Sequence, residues 1–352
     1  MAYLKAEDLK PGMKLKSDFI NERGRLFLAE GTVLTDNLIK RINELSIPYI
    51  SIVQDTDAKE TAAKHKTQYE IETENFMQIY KDTHQVVKKL SEDVRFGRRL
   101  SLDGIRETVG TFIDLVFEDH NIIPKLQQIH MTDEYTYYHS MNVGVLTILI
   151  GKWLKMPHRD MRKLGYAGLF HDIGKCRIPL EILNKPDTLD AREWATMKRH
   201  PVFGYNILKK NHVLSNDVLM GVLMHHERED GSGYPLGFKG REIHTYGKIV
   251  AVADIFDAMM SDRVYRKKRP PLQVAEYISD RSFDCLDPHI SQVFLQGITR
   301  NFVGNLVRLN DGRIGKVIYT CPQDHTKPVV LTEGEFLDFS RDKGVTIVEI
   351  IG

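Results

Sequence analysis

The spacing of apolar residues divides the chain into regions of different character. From 57 to about 120, apolar residues such as Phe76, Ile79, Tyr80 and Val87 recur every three or four positions, with charged residues between them. This period predicts one or two long amphipathic helices. Two interpretations fit equally well: the helices link domains and pair with a second copy of the chain, or they pack on their own domain.

A short module precedes these helices. Turn signals at Pro11-Gly12 and Glu30-Gly31 separate brief apolar runs, and the β-prone residues 49–53 follow a short helix predicted near 36–45. We therefore expect a small α+β or β-rich module over residues 1–56.

A second strand-like region follows residue 302. Asn310-Asp311-Gly312 has the composition of a hairpin turn between two apolar runs. The predicted strands cover residues 305–309, 315–319, 328–331 and 345–348. We expect a small β unit over residues 303–352.

The region between these modules has helical patterns and holds most of the histidines. The whole pattern predicts a mainly α protein with four regions. They are the module over 1–56, a helical linker over 57–122, a helical domain over 123–302, and the β unit over 303–352. The linker is the candidate surface for a homodimer.

The residue counts narrow the chemistry. The 49 Lys and Arg residues nearly balance 48 Asp and Glu, so we expect no binding to nucleic-acid polymers. The 3 cysteines are too widely spaced for a zinc ribbon or a disulfide scaffold, so histidines and carboxylates must hold any metal. No apolar run has the length of a signal core or a bilayer span. We therefore expect a cytoplasmic protein without membrane insertion.

The segment His171-Asp172-Ile173-Gly174-Lys175 is the strongest candidate for chemistry. A histidine beside an aspartate in an apolar helix is costly to bury unless both are satisfied, and a bound metal would satisfy them. Asp172 has two oxygens and can bridge two cations. Lys175, three residues later on a helix, would share this face and attract an anionic substrate. Taken alone, the His-Asp pair is explained better by a hydrogen bond at a helix end.

A second candidate is Asp254, within the apolar run Ile249–Phe256. Gly247, Ala251, Asp254 and Ala258 form one stripe of small or polar residues on the predicted helix, while the large residues lie elsewhere. This placement suits a carboxylate that faces a site. The alternative is a buried aspartate bonded to a neighbouring helix.

Several motifs follow one another between residues 125 and 302. They are Asp133–Ser140 around His139, His171-Asp172 with Lys175, His200-Pro201, His225-His226-Glu227, Gly233-Tyr234-Pro235, Asp254 with Asp257-Ala258-Met259, and Arg263-Val264-Tyr265-Arg266. In this order and spacing, they resemble the HD-GYP family of the HD phosphohydrolase superfamily. The resemblance covers about half of the chain.

The resemblance implies a helical HD-type bundle with two or three metal ions, usually iron or manganese, that hydrolyses cyclic di-GMP. Carried over by position, the metal ligands are His139, His171, Asp172, His200, His225, His226 and Asp254. Some members carry Glu four residues before the first histidine, where this chain has Tyr135. Because tyrosine is a poor ligand unless deprotonated, we expect two ions, with linear pGpG rather than GMP as the main product.

The resemblance also suggests catalytic and phosphate-binding residues. Asp172 would bridge the ions, and Lys175 would neutralise phosphate charge or protonate the leaving 3′-oxygen. Arg263 and Arg266 would bind substrate phosphate, because guanidinium matches phosphate oxygens in a two-point geometry. Asp254 and Arg263 are nine residues apart, on opposite faces of a straight helix, so the helix should end near residues 261–262 for both to reach one site. Without the resemblance, a solvated basic run explains the arginines better.

A turn is predicted around Gly233 and Tyr234. Gly233 would let the backbone approach the site, and Tyr234 would pack or stack near a base of the substrate. Without the resemblance, a surface hairpin explains this segment better.

We therefore expect a metal-dependent cyclic di-GMP phosphodiesterase. Two alternatives stay open: a receptor that binds cyclic di-GMP without turnover, and an HD-type hydrolase of another cyclic dinucleotide, such as cyclic GMP-AMP. Loss of a ligand would mark the receptor, and none of the seven positions is lost.

Overall fold

The computed structural model describes residues 3–5, 9–16, 19–20, 26–28, 31–35, 38–39, 42, 49–52, 68–98, 103–119, 122–127, 135–210, 214–260, 269–321, 324–342 and 344–350. The chain forms two compact units, Met1–Glu72 and Thr73–Gly352. The predicted domain boundaries after residues 56, 122 and 302 stay predictions.

The first unit contains two pairs of antiparallel strands. Strand β1 (Tyr3–Lys5) pairs with β4 (Tyr49–Ser51), and β2 (Phe19–Ile20) pairs with β3 (Leu26–Leu28). Among the described residues of this unit, the buried apolar core consists of Leu9, Leu15, Leu34, Ile42 and Ile52. Most of the helix predicted near 36–45 lies outside the described residues.

Helices make up most of the second unit. In chain order, the helices are α1 (Gln68–Arg95), α2 (Asp103–Glu118), α3 (Ile122–Gln127), α4 (Tyr135–Trp153), α5 (His158–Phe170), α6 (Leu180–Leu183), α7 (Ala191–Met197), α8 (His200–Lys209), α9 (Asn216–Met224), α10 (Thr245–Met260), α11 (Pro271–Arg281) and α12 (Pro288–Arg300). Two short 3-10 helices cover Ile173–Arg177 and Gly240–Glu242. Among the described helices, none is both long enough and apolar enough to cross a bilayer.

Helix α4 lies at the centre of the bundle. Residues 143–151 are buried without interruption, as expected for a helix that is apolar on all sides. Helices α4 and α5 approach closely at two glycines, since a Cβ atom on Gly168 would lie 2.8 Å from Gly144 Cα. This contact fixes the end of α5, which leads directly into the His171-Asp172 pair.

Helix α1 packs on its own unit. Its residues Phe76, Tyr80, Val87, Leu90 and Val94 belong to the same buried core as the residues of α4 and α10. This arrangement is the second of the two interpretations that the sequence left open. Pairing of two copies through 57–122 stays a prediction.

Five antiparallel strands follow α12. They are β5 (Leu306–Leu309), β6 (Ile314–Thr320), β7 (Pro328–Thr332), β8 (Glu335–Asp338) and β9 (Ile347–Ile350), in the sheet order β8-β7-β6-β5-β9. The predicted turn at 310–312 joins β5 to β6, with Gly312 at a φ of 90°. The sequence did not predict β8, which follows a tight turn at Glu333-Gly334. The predicted fold class, mainly α with a small C-terminal β unit, is confirmed.

Candidate metal centre

Side chains from three helices, and from the segments that follow two other helices, converge on one buried point. His139 comes from α4, His171 and Asp172 from the segment after α5, His200 from the start of α8, His225 and His226 from the segment after α9, and Asp254 from α10. These are the seven positions that the resemblance implied as ligands. All seven residues lie in the part of the chain that the structure describes.

The His-Asp pair does not lie inside a helix, which corrects the expectation from sequence. Helix α5 ends at Phe170, and a 3-10 helix begins at Ile173. The helix end leaves the Gly168 carbonyl free to accept a hydrogen bond from His171 Nδ1 at 2.7 Å. Lys175 then reaches Asp172 through the 3-10 turn, and the two side chains form a hydrogen bond.

Three histidines are oriented by the same kind of backbone contact. His171, His200 and His225 each place Nδ1 at 2.7–2.8 Å from the carbonyl oxygen three residues earlier. A carbonyl oxygen only accepts hydrogen bonds, so Nδ1 carries the proton in each ring. The Nε2 lone pairs are therefore available to a metal.

His139 is oriented by a carboxylate instead. Its Nδ1 lies 2.7 Å from Asp257 Oδ2, and its Nε2 lies 3.0 Å from Asp254 Oδ1. A carboxylate that holds the outer nitrogen of a ligating histidine fixes the ring and raises its basicity. The sequence did not identify Asp257 as a site residue, although its position three residues after Asp254 on α10 offered a signal.

The donors form two groups that each have the composition of a metal site. Asp172, His200, His225 and His226 form one group, and His139, His171 and Asp254 form the other, with the donor atoms of each group within 4.8 Å of one another. Both groups combine imidazole with carboxylate, a set that suits iron, manganese and other divalent ions.

Asp172 lies between the two groups. Its Oδ2 is 3.3 Å from His171 Nε2 and 3.8 Å from His139 Nε2. Its Oδ1 is 3.3 Å from His200 Nε2 and 4.0 Å from His225 Nε2. Each oxygen therefore faces a different group, which is the arrangement that a bridging carboxylate needs.

The residues fit a metal because two of their atoms are otherwise unsatisfied. His171 Nε2 and Asp172 Oδ1 are buried and have no hydrogen-bond partner within the described part of the chain. Buried polar atoms without partners are costly, and a cation between them would satisfy both.

The charges of the site also favour cations. Burial raises the pKa of Asp172, but electrostatic interactions with the neighbouring His171 and Lys175 side chains hold it well below its usual range. Burial lowers the pKa of His200 to about 4, and it holds the pKa of His225 well below the usual value. Both histidines are therefore neutral at pH 7, the form in which imidazole binds metals.

Comparison with known proteins agrees with this geometry. Residues 126–290 match the sequence profile of the HD domain family. This part of the chain resembles the HD domain family. A curated cyclic di-GMP phosphodiesterase of Pseudomonas aeruginosa is 34% identical over 232 residues, which are 66% of this chain and 56% of that protein. The resemblance inferred from the motifs is confirmed.

Two further proteins resemble the chain. A 3′3′-cGAMP-specific phosphodiesterase of Vibrio cholerae is 37% identical over 154 residues, 44% of this chain and 33% of that protein. The solved structure of Bd1817, an HDG"Y"P protein from Bdellovibrio bacteriovorus, has a TM-score of 0.54 and covers 83% of this chain and 97% of that one. At 17% identity, this second likeness concerns the fold alone. The chain spans about half of the first curated relative and a third of the second.

The loop after α9 forms one wall of the site. The ring of Tyr234 lies 4.6 Å from the ring of His226, measured between centroids. Gly233 packs on the chain itself, because a Cβ atom there would lie 2.5 Å from His226 O. The close backbone approach expected at Gly233 is therefore a contact with the backbone of residues 226–228.

Glu227 holds this loop in place, a role that sequence reasoning missed. Its buried carboxylate accepts hydrogen bonds from the backbone N–H groups of Leu236 at 2.7 Å and Phe238 at 3.1 Å. The sequence shows the motif that contains Glu227. The hydrogen-bond partners of Glu227 lie nine and eleven residues further along the chain, and the motif does not identify them.

Three predicted features fall beyond what the structure describes. Arg263 and Arg266 lie outside the described residues, and α10 is described as far as Met260. Tyr135 begins α4, but its side chain is also outside the described part. The predictions for these residues stay predictions.

Proposed function

We propose that the chain is a metal-dependent phosphodiesterase that hydrolyses cyclic di-GMP. The observation that carries the proposal is the position of Asp172, whose two oxygens face two separate groups of metal donors while Lys175 contacts it from the more exposed side. A metal-dependent hydrolase of phosphodiesters needs cation sites beside a residue that can act on the substrate's phosphate. The likeness to curated cyclic dinucleotide phosphodiesterases supports the same reaction class.

Each residue has a distinct part in the proposed reaction. Divalent cations held by the seven donors would supply Lewis-acid polarisation of the phosphodiester and lower the pKa of water. Asp172 would hold cations with its two carboxylate oxygens, which face the two donor groups. Lys175 neutralises charge on the phosphate or gives a proton to the 3′-oxygen as the P–O bond breaks. Arg263 and Arg266 bind the phosphates, and Tyr234 packs against a base.

We propose two ions per chain, iron or manganese, and linear pGpG as the main product. The two donor groups around Asp172 support two ions, and Tyr135 in place of Glu supports the absence of a third. Metal analysis that finds three ions per chain would refute this part. We further propose that the protein is cytoplasmic, where it would encounter a cyclic dinucleotide messenger. We also propose that two copies of the chain pair through residues 57–122.

The decisive experiment is turnover by the purified full-length chain. Cyclic di-GMP is incubated with Mn²⁺, or with Fe²⁺ under anaerobic conditions, and the products are separated by chromatography. We expect pGpG from the wild type and no turnover from His171→Ala or Asp172→Ala. His158→Ala is the matched control, because His158 lies on α5 outside the donor groups and is about half exposed.

Two results would replace the proposal with an alternative. Retained binding of cyclic di-GMP without turnover, with either metal, would indicate a receptor. Faster turnover of cyclic GMP-AMP than of cyclic di-GMP in the same assay would assign the enzyme to the other substrate, a choice that the Vibrio cholerae relative makes worth testing.

A further inference from the structure

A chain of hydrogen bonds links helix α1 to the predicted ligand His139. The hydroxyl of Tyr80 donates to Asn142 Oδ1 at 2.8 Å, and Asn142 Nδ2 donates to Asp257 Oδ1 at 2.8 Å. Asp257 Oδ2 accepts from His139 Nδ1 at 2.7 Å. Tyr80, Asp257 and His139 are at most 5% exposed, so these bonds are shielded from water.

The direction of each bond follows from the carboxylate at its centre. A carboxylate oxygen only accepts, so both Asn142 Nδ2 and His139 Nδ1 donate to Asp257. A reversed Asn142 amide would bring its oxygen against the carboxylate. Asn142 Oδ1 must therefore point away from Asp257, toward Tyr80. The hydroxyl of Tyr80 supplies the donor that this orientation requires.

The ring of Tyr80 is held in place independently of its hydroxyl. It packs against Phe76, Phe112 and Tyr138, with ring centroids 5.8–6.2 Å apart. A phenylalanine at this position would keep these contacts and remove the hydroxyl alone. Tyr80 also lies outside residues 126–290, the part that matches the HD domain family.

We propose that Tyr80 is a positioning residue for the metal centre, acting through Asn142 and Asp257 on the orientation of His139. Without its hydroxyl, Asn142 Oδ1 loses its donor in a largely buried place. An amide that rotates to find another partner weakens its bond to Asp257, and the carboxylate then holds His139 less firmly. This inference rests on the proposed metal site.

The test measures metal affinity rather than turnover. The dissociation constant for Mn²⁺ is determined for the full-length wild type and for Tyr80→Phe by competition with a fluorescent chelator. Loss of an outer partner of a ligand typically weakens binding about 10- to 100-fold, and because Tyr80 is two residues further out, we expect about tenfold. The thermal midpoint of the metal-free protein, recorded in parallel, reports any general loss of packing.

Thr83→Val is the matched control. Thr83 is also fully buried on α1, but its hydroxyl donates to Ile79 O at 2.8 Å within the same helix. We expect Mn²⁺ affinity equal to that of the wild type. An affinity of Tyr80→Phe equal to that of Thr83→Val would overturn the inference. A wild type that binds no Mn²⁺ would overturn the metal site itself, and the inference with it.

A second variant keeps the inference testable if Tyr80→Phe folds poorly. Asn142→Ala interrupts the chain one residue closer to His139, and we expect it to weaken Mn²⁺ binding by at least tenfold. Adding Tyr80→Phe to Asn142→Ala should then have no further effect, because the two residues act in series. Additive losses in the double variant, or unchanged affinity in Asn142→Ala, would overturn the proposed chain.

Discussion

Lys175 is the charged side chain that joins the buried carboxylate to the outside of the site. It is 27% exposed, whereas its partner Asp172 is 2% exposed, and the two are hydrogen-bonded. The ammonium group therefore lies where it can contact an anionic substrate while it stays hydrogen-bonded to Asp172. It is not a metal ligand, so its contribution can be separated from that of the donor groups.

We expect Lys175→Gln to lower kcat by at least about 100-fold, the lower end of what a positioned proton donor contributes. Glutamine keeps most of the length of the side chain but carries neither the charge nor an acidic proton. The measurements are the rate of cyclic di-GMP hydrolysis at saturation and the metal content of the purified variant. Lys209→Gln, at an exposed position on α8, serves as the control. A wild-type kcat in Lys175→Gln would contradict the role given to this residue.

The seven residues that converge on the candidate metal centre could be picked out from the sequence, whereas the contacts that support them could not. The seven donors stand in motifs whose spacing is itself the signal. Tyr80 and Asn142 are recognisable only by their contacts, which join positions 62 and 115 residues apart. Asp257 stands in a motif close to Asp254, but its bonds to Asn142 and His139 appear only in the folded structure. Hydrophobic spacing places Tyr80 on a buried helix face, but it does not say which polar atom its hydroxyl meets.

At the scale of elements, the sequence did not predict where α5 ends, and the folded structure shows why it ends there. The apolar pattern around 164–173 is continuous, yet α5 ends at Phe170 because His171 bonds back to the Gly168 carbonyl. The turn that follows must pass close to α8, since a Cβ atom on Gly174 would lie 1.9 Å from His200 O. Only the folded contact explains why glycine is needed there.

The loop after α9 offers a test at this scale. Glu227 bonds to two backbone N–H groups, and Glu227→Gln would turn an amide NH₂ toward one of them and leave it unpaired at a cost of about 1–3 kcal/mol. We expect the loop that carries Tyr234 to loosen, so that KM for cyclic di-GMP rises while the metal content is unchanged. Hydrogen exchange over 228–240 and steady-state kinetics measure the two effects.

Glu181→Gln, at an exposed position on α6, is the control for this change of charge. It should leave both KM and hydrogen exchange over 228–240 at wild-type values. Loss of metal from Glu227→Gln, rather than a change of KM, would show that the loop supports the donors instead of the substrate.

At the scale of the whole molecule, the C-terminal sheet and the helical bundle share one apolar core. Val307, Val317 and Val330 of the sheet belong to the same buried cluster as Leu272 of α11. An ion pair between Lys327 and Glu276 joins the sheet to the same helix. The change from helical to strand pattern near residue 302 predicted two kinds of element, but it carried no information about whether they pack together.

The metal centre should contribute to the stability of this whole unit. A ligand that binds only the folded state stabilises it by about 2.7 kcal/mol when its free concentration is a hundredfold above Kd. The donors come from helices spread over residues 139–254, so their correct arrangement requires the folded bundle. We therefore expect removal of metal by a chelator to lower the thermal midpoint of the wild type, and added Mn²⁺ to restore it.

The control is His171→Ala, which lacks one donor of the buried pair. Its thermal midpoint should respond much less to chelator and to Mn²⁺ than that of the wild type, because binding is weakened at the site itself. Calorimetry or circular dichroism of both proteins, with and without metal, measures the difference. Equal shifts of the thermal midpoint in the two proteins would mean that Mn²⁺ stabilises the chain by binding at another place. The idea that metal binding at these seven donors stabilises the fold would then be wrong.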